Sequence, residues 1–121
     1  MKRNFELLKK ILELVESRPS TSPLHDIEVP GYDTAEVNYH VYLLDQAGFI
    51  DAKITRVGAN EIYSPIIFDL TWRGHEFLDN ARNNTVWKKA IDTVKSKGGS
   101  VSFEIFQKLL SEIAISIVKF Q

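Results

Sequence analysis

Three histidines, His25, His40 and His75, are the side chains whose charge can change near neutral pH, so metal ligation and proton transfer are the first chemistries to test on this sequence. Either chemistry needs spacings that converge, such as two histidines four apart on one helix face. His25 beside Asp26 falls in a loop or short strand, His40 lies next to an apolar helical stripe, and His75 stands one turn into a helix. That distribution predicts one buried, hydrogen-bonded histidine and two surface ones, with no metal and no cofactor. Cysteine is absent, which removes disulfides, thiolate ligands and thiol nucleophiles together. The chain also lacks a Gly-rich phosphate loop, a Gly-x-Ser-x-Gly elbow and a carboxylate pair, so no catalytic residue and no enzymatic activity are expected.

Nucleic-acid reading is the second chemistry in view. Asn38, Tyr39, Tyr42 and Gln46 recur on one side of a helical segment; Asn and Gln can read adenine, and Tyr can bond a phosphate. Between Leu24 and Asp51, however, there are six acidic residues and no Lys or Arg. Phosphate neutralisation supplies most non-specific affinity, and this stretch would repel a duplex. Basic residues gather further along: Lys53 and Arg56, then Arg73, Arg82, Lys88 and Lys89, with Lys95 and Lys97 beyond. Two readings of that stripe stay open, a phosphate-facing surface and a solvated helix face. At a formal net charge of -1 the whole chain is neither a basic nucleic-acid binder nor an acidic mimic.

The elements that must position these residues follow from periodicity. Phe5, Leu8, Ile11, Leu12 and Val15 form one stripe of a first helix, with Glu6, Lys9, Lys10, Glu13 and Glu16 largely opposite, and Pro19 and Pro23 end it. His25 to Val29 reads as a short, non-central strand with Ile27 and Val29 inward, bounded by Pro30-Gly31. Asp33, with Glu36 three residues on, caps a helix from about Thr34 to Ala47 whose inner face is Val37, Val41 and Leu44, and Gly48 closes it. Phe49 to Arg56 and Ile62 to Leu70 read as a hairpin with its tip at Gly58-Ala59-Asn60 and Pro65 at a bulge or an edge. Thr71 caps a third helix carrying Phe77, Leu78, Ala81, Val86, Trp87, Ile91 and Val94, with a break available at Asn83-Asn84. Gly98-Gly99 stops it, Ser100 or Ser102 caps again, and Phe103, Phe106, Leu109, Leu110, Ile113 and Ile117 stripe a last helix. Its breadth, with Ile105, Ile115 and Val118 added, exceeds what one small core needs, and two readings stay open, an interface and closure of a single-domain core.

The spacing His40-Val41, Leu44, Ala47-Gly48-Phe49-Ile50 resembles the end of the recognition helix in winged-helix regulators such as the arsenic-repressor-like group. Leu70-Thr71, Gly74 and Phe77-Leu78 resemble the exit from the second wing strand in the PadR-like and MarR-like families. Over almost its whole length, through Met1-Lys2-Arg3, Gly31-Tyr32, Tyr39-His40, Leu70 to Leu78 and Val86-Trp87, the chain resembles an uncharacterised bacterial and phage family, domain of unknown function 2513. The resemblance implies a phage or prophage setting and no mechanism. One departure is that Pro19, Pro23 and Pro30 leave no room for the helix that normally packs across a recognition helix.

The expected fold is therefore α+β: a winged-helix-like domain of helix, short strand, recognition-type helix and β-hairpin wing, followed by C-terminal helices. The chain is read as a single domain over 1–121, with the winged-helix-like core in 1–78 and the helical extension in 79–121. Two functions are carried forward. One is a small non-enzymatic regulator that binds double-stranded DNA through the basic wing and third helix, with Asn38, Tyr39 and Tyr42 as contacts. The other is a protein-interaction module with no DNA binding, whose acidic, Tyr-bearing helix docks on a partner. In the resembled regulators C-terminal helices build the dimer, which implies a homodimer here. The N-terminus shows no signal peptide and no apolar run approaches a membrane span, so a cytoplasmic protein without a membrane partner is expected.

Overall fold

The computed structural model describes residues 1–19, 22–58 and 62–119. Over these residues the chain is α+β, five helices and a three-stranded antiparallel sheet, in the order α1 (Phe5–Ser17), β1 (Leu24–His25), α2 (Thr34–Gln46), β2 (Ile50–Val57), β3 (Ile62–Leu70), α3 (Trp72–Ala81), α4 (Asn84–Ser96), α5 (Phe103–Lys119). This arrangement is compatible with a winged helix followed by C-terminal helices. The chain divides into two compact units, Met1–His75 and Glu76–Gln121.

In the first unit, Asn4 caps α1, its Oδ1 accepting from the Leu7 amide at 3.1 Å. Leu7, Leu8, Ile11, Leu12 and Val15 are buried. Lys9, expected on the polar side, is buried too, because α1 packs against both α2 and β3 and its covered arc is wider than one stripe. No helix separates α1 from α2 among the described residues. Instead Arg18 ties this proline-rich segment down: its guanidinium donates to the carbonyl oxygens of Ser22 and Phe68, each at 2.6 Å, and lies 3.6 Å from the Asp69 carboxylate.

The short strand is shorter than its alternation suggests. β1 is only Leu24–His25, ending where Asp26 takes a left-handed φ of 52°. Ile27 and Val29 are buried as expected, but from a loop. Asp33 caps α2, accepting from the Glu36 amide at 2.8 Å, and Val37, His40, Val41 and Leu44 are buried. At its other end Gly48 has φ 79° and the Phe49 amide reaches back to the Leu44 carbonyl at 3.0 Å, the glycine-terminated close anticipated from sequence.

The sheet order is β1-β3-β2, so β1 is an edge and β3 is central. Pro65 thus sits in the central strand opposite Ile54, and the bulge falls elsewhere, between Asp51 and Ala52, where the register skips Phe68. The proline is tolerated because β1 pairs with Ile66 and Ile67 and, among the described residues, no strand pairing continues beside position 65 on that side. Of the anticipated hairpin tip, Gly58 has φ 77°, while Ala59 and Asn60 lie outside the described residues.

Thr71 begins α3. Its hydroxyl accepts from the Gly74 amide at 3.1 Å and donates to the Gly48 carbonyl at 2.5 Å, and its own amide donates to the Phe49 carbonyl at 3.0 Å. Gly74 is required there, since a methyl group would collide with the Phe49 carbonyl oxygen.

In the second unit the anticipated break is real: Asn83 caps α4, accepting from Thr85 and Val86, so the third helix is two helices. Phe77 meets Phe103 with ring centroids at 5.3 Å, and Trp87 meets Phe106 edge-on at 5.2 Å. Gly98 and Gly99 carry positive φ, and the Ser102 hydroxyl accepts from the Ile105 amide at 3.2 Å to start α5.

Candidate functional site

The polar face of α2 is met by the hairpin. Tyr42 stacks on Tyr63 of β3, centroids 4.8 Å apart and planes within 20°. Tyr39 leans on both rings at 6.3 and 6.2 Å. The Arg56 guanidinium of β2 covers the pair, 5.5 Å from the Tyr42 centroid and 5.4 Å from that of Tyr63. The Tyr42 hydroxyl accepts from Gln46 Nε2 at 2.8 Å and from Arg56 Nη2 at 3.3 Å, and Asn38 Nδ2 donates to the Tyr63 carbonyl at 3.2 Å. Asn38, Tyr39, Tyr42 and Gln46 are thus gathered into one cluster, and three of them are half-buried. Asn38 and Tyr42 bond the hairpin, Gln46 bonds Tyr42, and Tyr39 is held by ring contacts.

Tyr63 was not singled out from sequence. Its signal was available in the hairpin: the register sets Arg56 opposite Tyr63, on the face that α2 covers. Strand alternation separates the two wing cations in the same way. Positions 53 and 56 differ by an odd number, so Lys53, paired with Ile66, projects from the opposite face to Arg56. The outer face carries Lys53, Thr55, Ser64 and, across from Ile66, His25 of β1. Arg56 is spent on the tyrosines and Lys53 faces away from them.

His40 is fully buried. Its Nε2 accepts from the Asn4 amide at 2.9 Å, so its Nδ1 carries the proton and donates to the Glu36 carbonyl at 2.8 Å. It is the buried histidine expected from sequence, and it joins the start of α1 to α2. His25 and His75 are exposed, and no group of His, Asp and Glu suited to a metal occurs among the described residues. Asp45, near the end of α2, titrates above the ordinary carboxylate range because burial disfavours its charge and Asp51 repels it, while a hydrogen bond from the Ala52 backbone offsets part of this.

The remaining basic candidates fall in both units. Arg73 is exposed on the first turn of α3, its guanidinium 5.3 Å from the ring centroid of buried Phe49. Arg82 pairs with Asp79 at 2.8 Å, which cancels its charge locally. Lys88 and Lys89 are exposed on α4. Beside Arg73 stands Trp72, 80% exposed on a helix start that Thr71 and Gly74 fix to the end of α2 and the start of β2. Phe68, four residues earlier, is also exposed.

No helix among the described residues is long and apolar enough to cross a membrane. The model of a family described as "Hypothetical protein (DUF2513)" matches residues 2–100. A protein of Haemophilus influenzae (strain ATCC 51907 / DSM 11121 / KW20 / Rd) named "Uncharacterized protein" is 41% identical over 115 residues, covering 93% of this chain and 95% of its own length. No solved structure matches the chain.

Proposed function

For a chain that belongs to the DUF2513 family, whose description names no ligand and no reaction, we propose a non-enzymatic protein-interaction module with Trp72 as its anchor. The observation that carries this reading is the exposure of that indole, 80%, on backbone held from both sides. A large rigid aromatic that pays little entropy on docking is the kind of residue that dominates protein interfaces. The setting is the one the sequence resemblance implies, a small phage or prophage regulator of winged-helix-like build, acting in the cytoplasm through protein contacts.

The other reading, duplex DNA bound through the wing, has less behind it. The helix placed to read a groove is acidic, its Asn38 and Tyr42 side chains are engaged by the hairpin, and Gln46 is bonded to Tyr42. Of the basic residues singled out on the wing and third helix, exposed Lys53 and Arg73 are those of the first unit left to serve it.

Fluorescence anisotropy with mixed-sequence duplex DNA at low salt separates the two. No binding is expected. Binding that weakens steeply with salt and is lost in the Lys53→Ala/Arg73→Ala double variant would overturn the proposal. For the positive arm, a protein retained by the immobilised chain should bind Trp72→Ala about 30-fold or more weakly, the loss typical of an interface anchor. Equal binding by Trp72→Ala removes that residue from the surface.

A further inference from the structure

A second surface lies on α5, independent of Trp72. At 100° per residue, Phe106 and Leu110, both buried, mark the inner side of this helix, with half-buried Phe103, Ile113 and Ile117 beside them. Diametrically opposite run Ile105, Lys108, Glu112 and Ile115, all exposed, the two isoleucines at 55% and 64%. Their spacing of three, four and three is that of the a and d positions of a two-heptad seam. An isolated outward isoleucine needs no explanation; two placed on one seam, with a cation and an anion between them, form a pattern.

We infer that this face pairs with α5 of a second copy of the chain, antiparallel, about a two-fold axis at the level of Leu110. Reversing the helix about that level exchanges position 105 with 115 and position 108 with 112. Ile105 then meets Ile115 of the other copy, and Lys108 meets its Glu112, twice by symmetry. The sequence is self-complementary in this orientation alone. A parallel pair in register would set lysine against lysine and glutamate against glutamate, which costs stability. An unrelated partner would have no reason to leave this mirror order in a single chain. The helix spans roughly 25 Å, so two heptads bury far less than the roughly 1,600 Å² of a standard interface. The dimer is accordingly weak and reversible, forming in the micromolar range.

Sedimentation velocity over a concentration series tests it, with far-UV circular dichroism confirming that each variant stays folded. The wild-type chain should shift from monomer to dimer as concentration rises. Lys108→Glu and Glu112→Lys should each weaken the dimer about tenfold, since each turns two attractions into repulsions, and the double variant should restore it. A chain that stays monomeric at every concentration overturns the proposal, as does a dimer indifferent to both single reversals. Orientation is read by cross-linking, which the absence of native cysteine makes clean. Ile105→Cys mixed with Ile115→Cys should form a disulfide between chains. A disulfide from either variant with itself means a parallel pair and overturns the antiparallel assignment.

Discussion

Asp45 is the residue at which folding works against charge. The turn through Gly48 returns the chain so that Asp51 faces it, and partial burial adds to the repulsion, so its carboxyl titrates above the ordinary 3.8. A raised carboxylate favours the folded state fully below the unfolded value, and that contribution is lost as pH rises through the folded value. Asp45→Asn can still accept from the Ala52 backbone but carries no charge. Thermal melts should therefore show the variant more stable than wild type at neutral pH, with the difference vanishing below pH 3.8. A gain that persists in acid would mean that something other than charge is at work. His40, by contrast, was legible from its position beside Val37, Val41 and Leu44, because a helix period fixes which side is inward. The Asp45–Asp51 repulsion and the burial of Arg18 and Lys9 were not, since each depends on where distant segments return.

At the scale of elements, the boundaries were legible where the chemistry is local. Asp33, Thr71 and Ser102 cap the helices they precede because capping needs only a side-chain oxygen and an amide two or three residues away, and Asn4 and Asn83, not named as caps from sequence, act by the same chemistry. The packing of α2 on the hairpin was less legible. It joins Arg56 to Tyr42, so alanine at one disturbs the other, and a test that assigns Arg56 to DNA and Tyr42 to a partner cannot separate the two. Lys53 and Arg73 are the cleaner probes. The contact of α3 with the start of β2 gives a sharper prediction. Gly74→Ala forces a methyl group into the Phe49 carbonyl and should destabilise the first unit by roughly 2–3 kcal/mol, read from denaturant midpoints. His75→Ala, one residue on and exposed, should cost no more than about 0.5 kcal/mol. Equal effects would mean that the helix can slide off the strand.

For the whole molecule, composition excluded much and assigned little. A net charge of -1 hides an acidic segment through α2 and a basic one from Arg73 onward, and only the fold tells which cations are still outward and unspent. The α+β class was legible because the helices show their period and the hairpin strands their β-branched content, whereas the alternation at His25–Val29 continued beyond the strand it suggested. The division at His75–Glu76 falls inside α3, a helix that runs across it unbroken, so its position is set by contacts in space.

The two tryptophans also make the chain its own optical probe. Trp72 in the first unit is 80% exposed, whereas Trp87 in the second is 7% exposed against Phe106. Native emission should accordingly be the sum of a red, iodide-quenchable component and a blue, protected one. Trp72→Phe should remove the first and leave the second. Loss of quenching would then follow a partner covering the indole, while a red shift of the protected component would follow melting of the second unit, without a label on the protein.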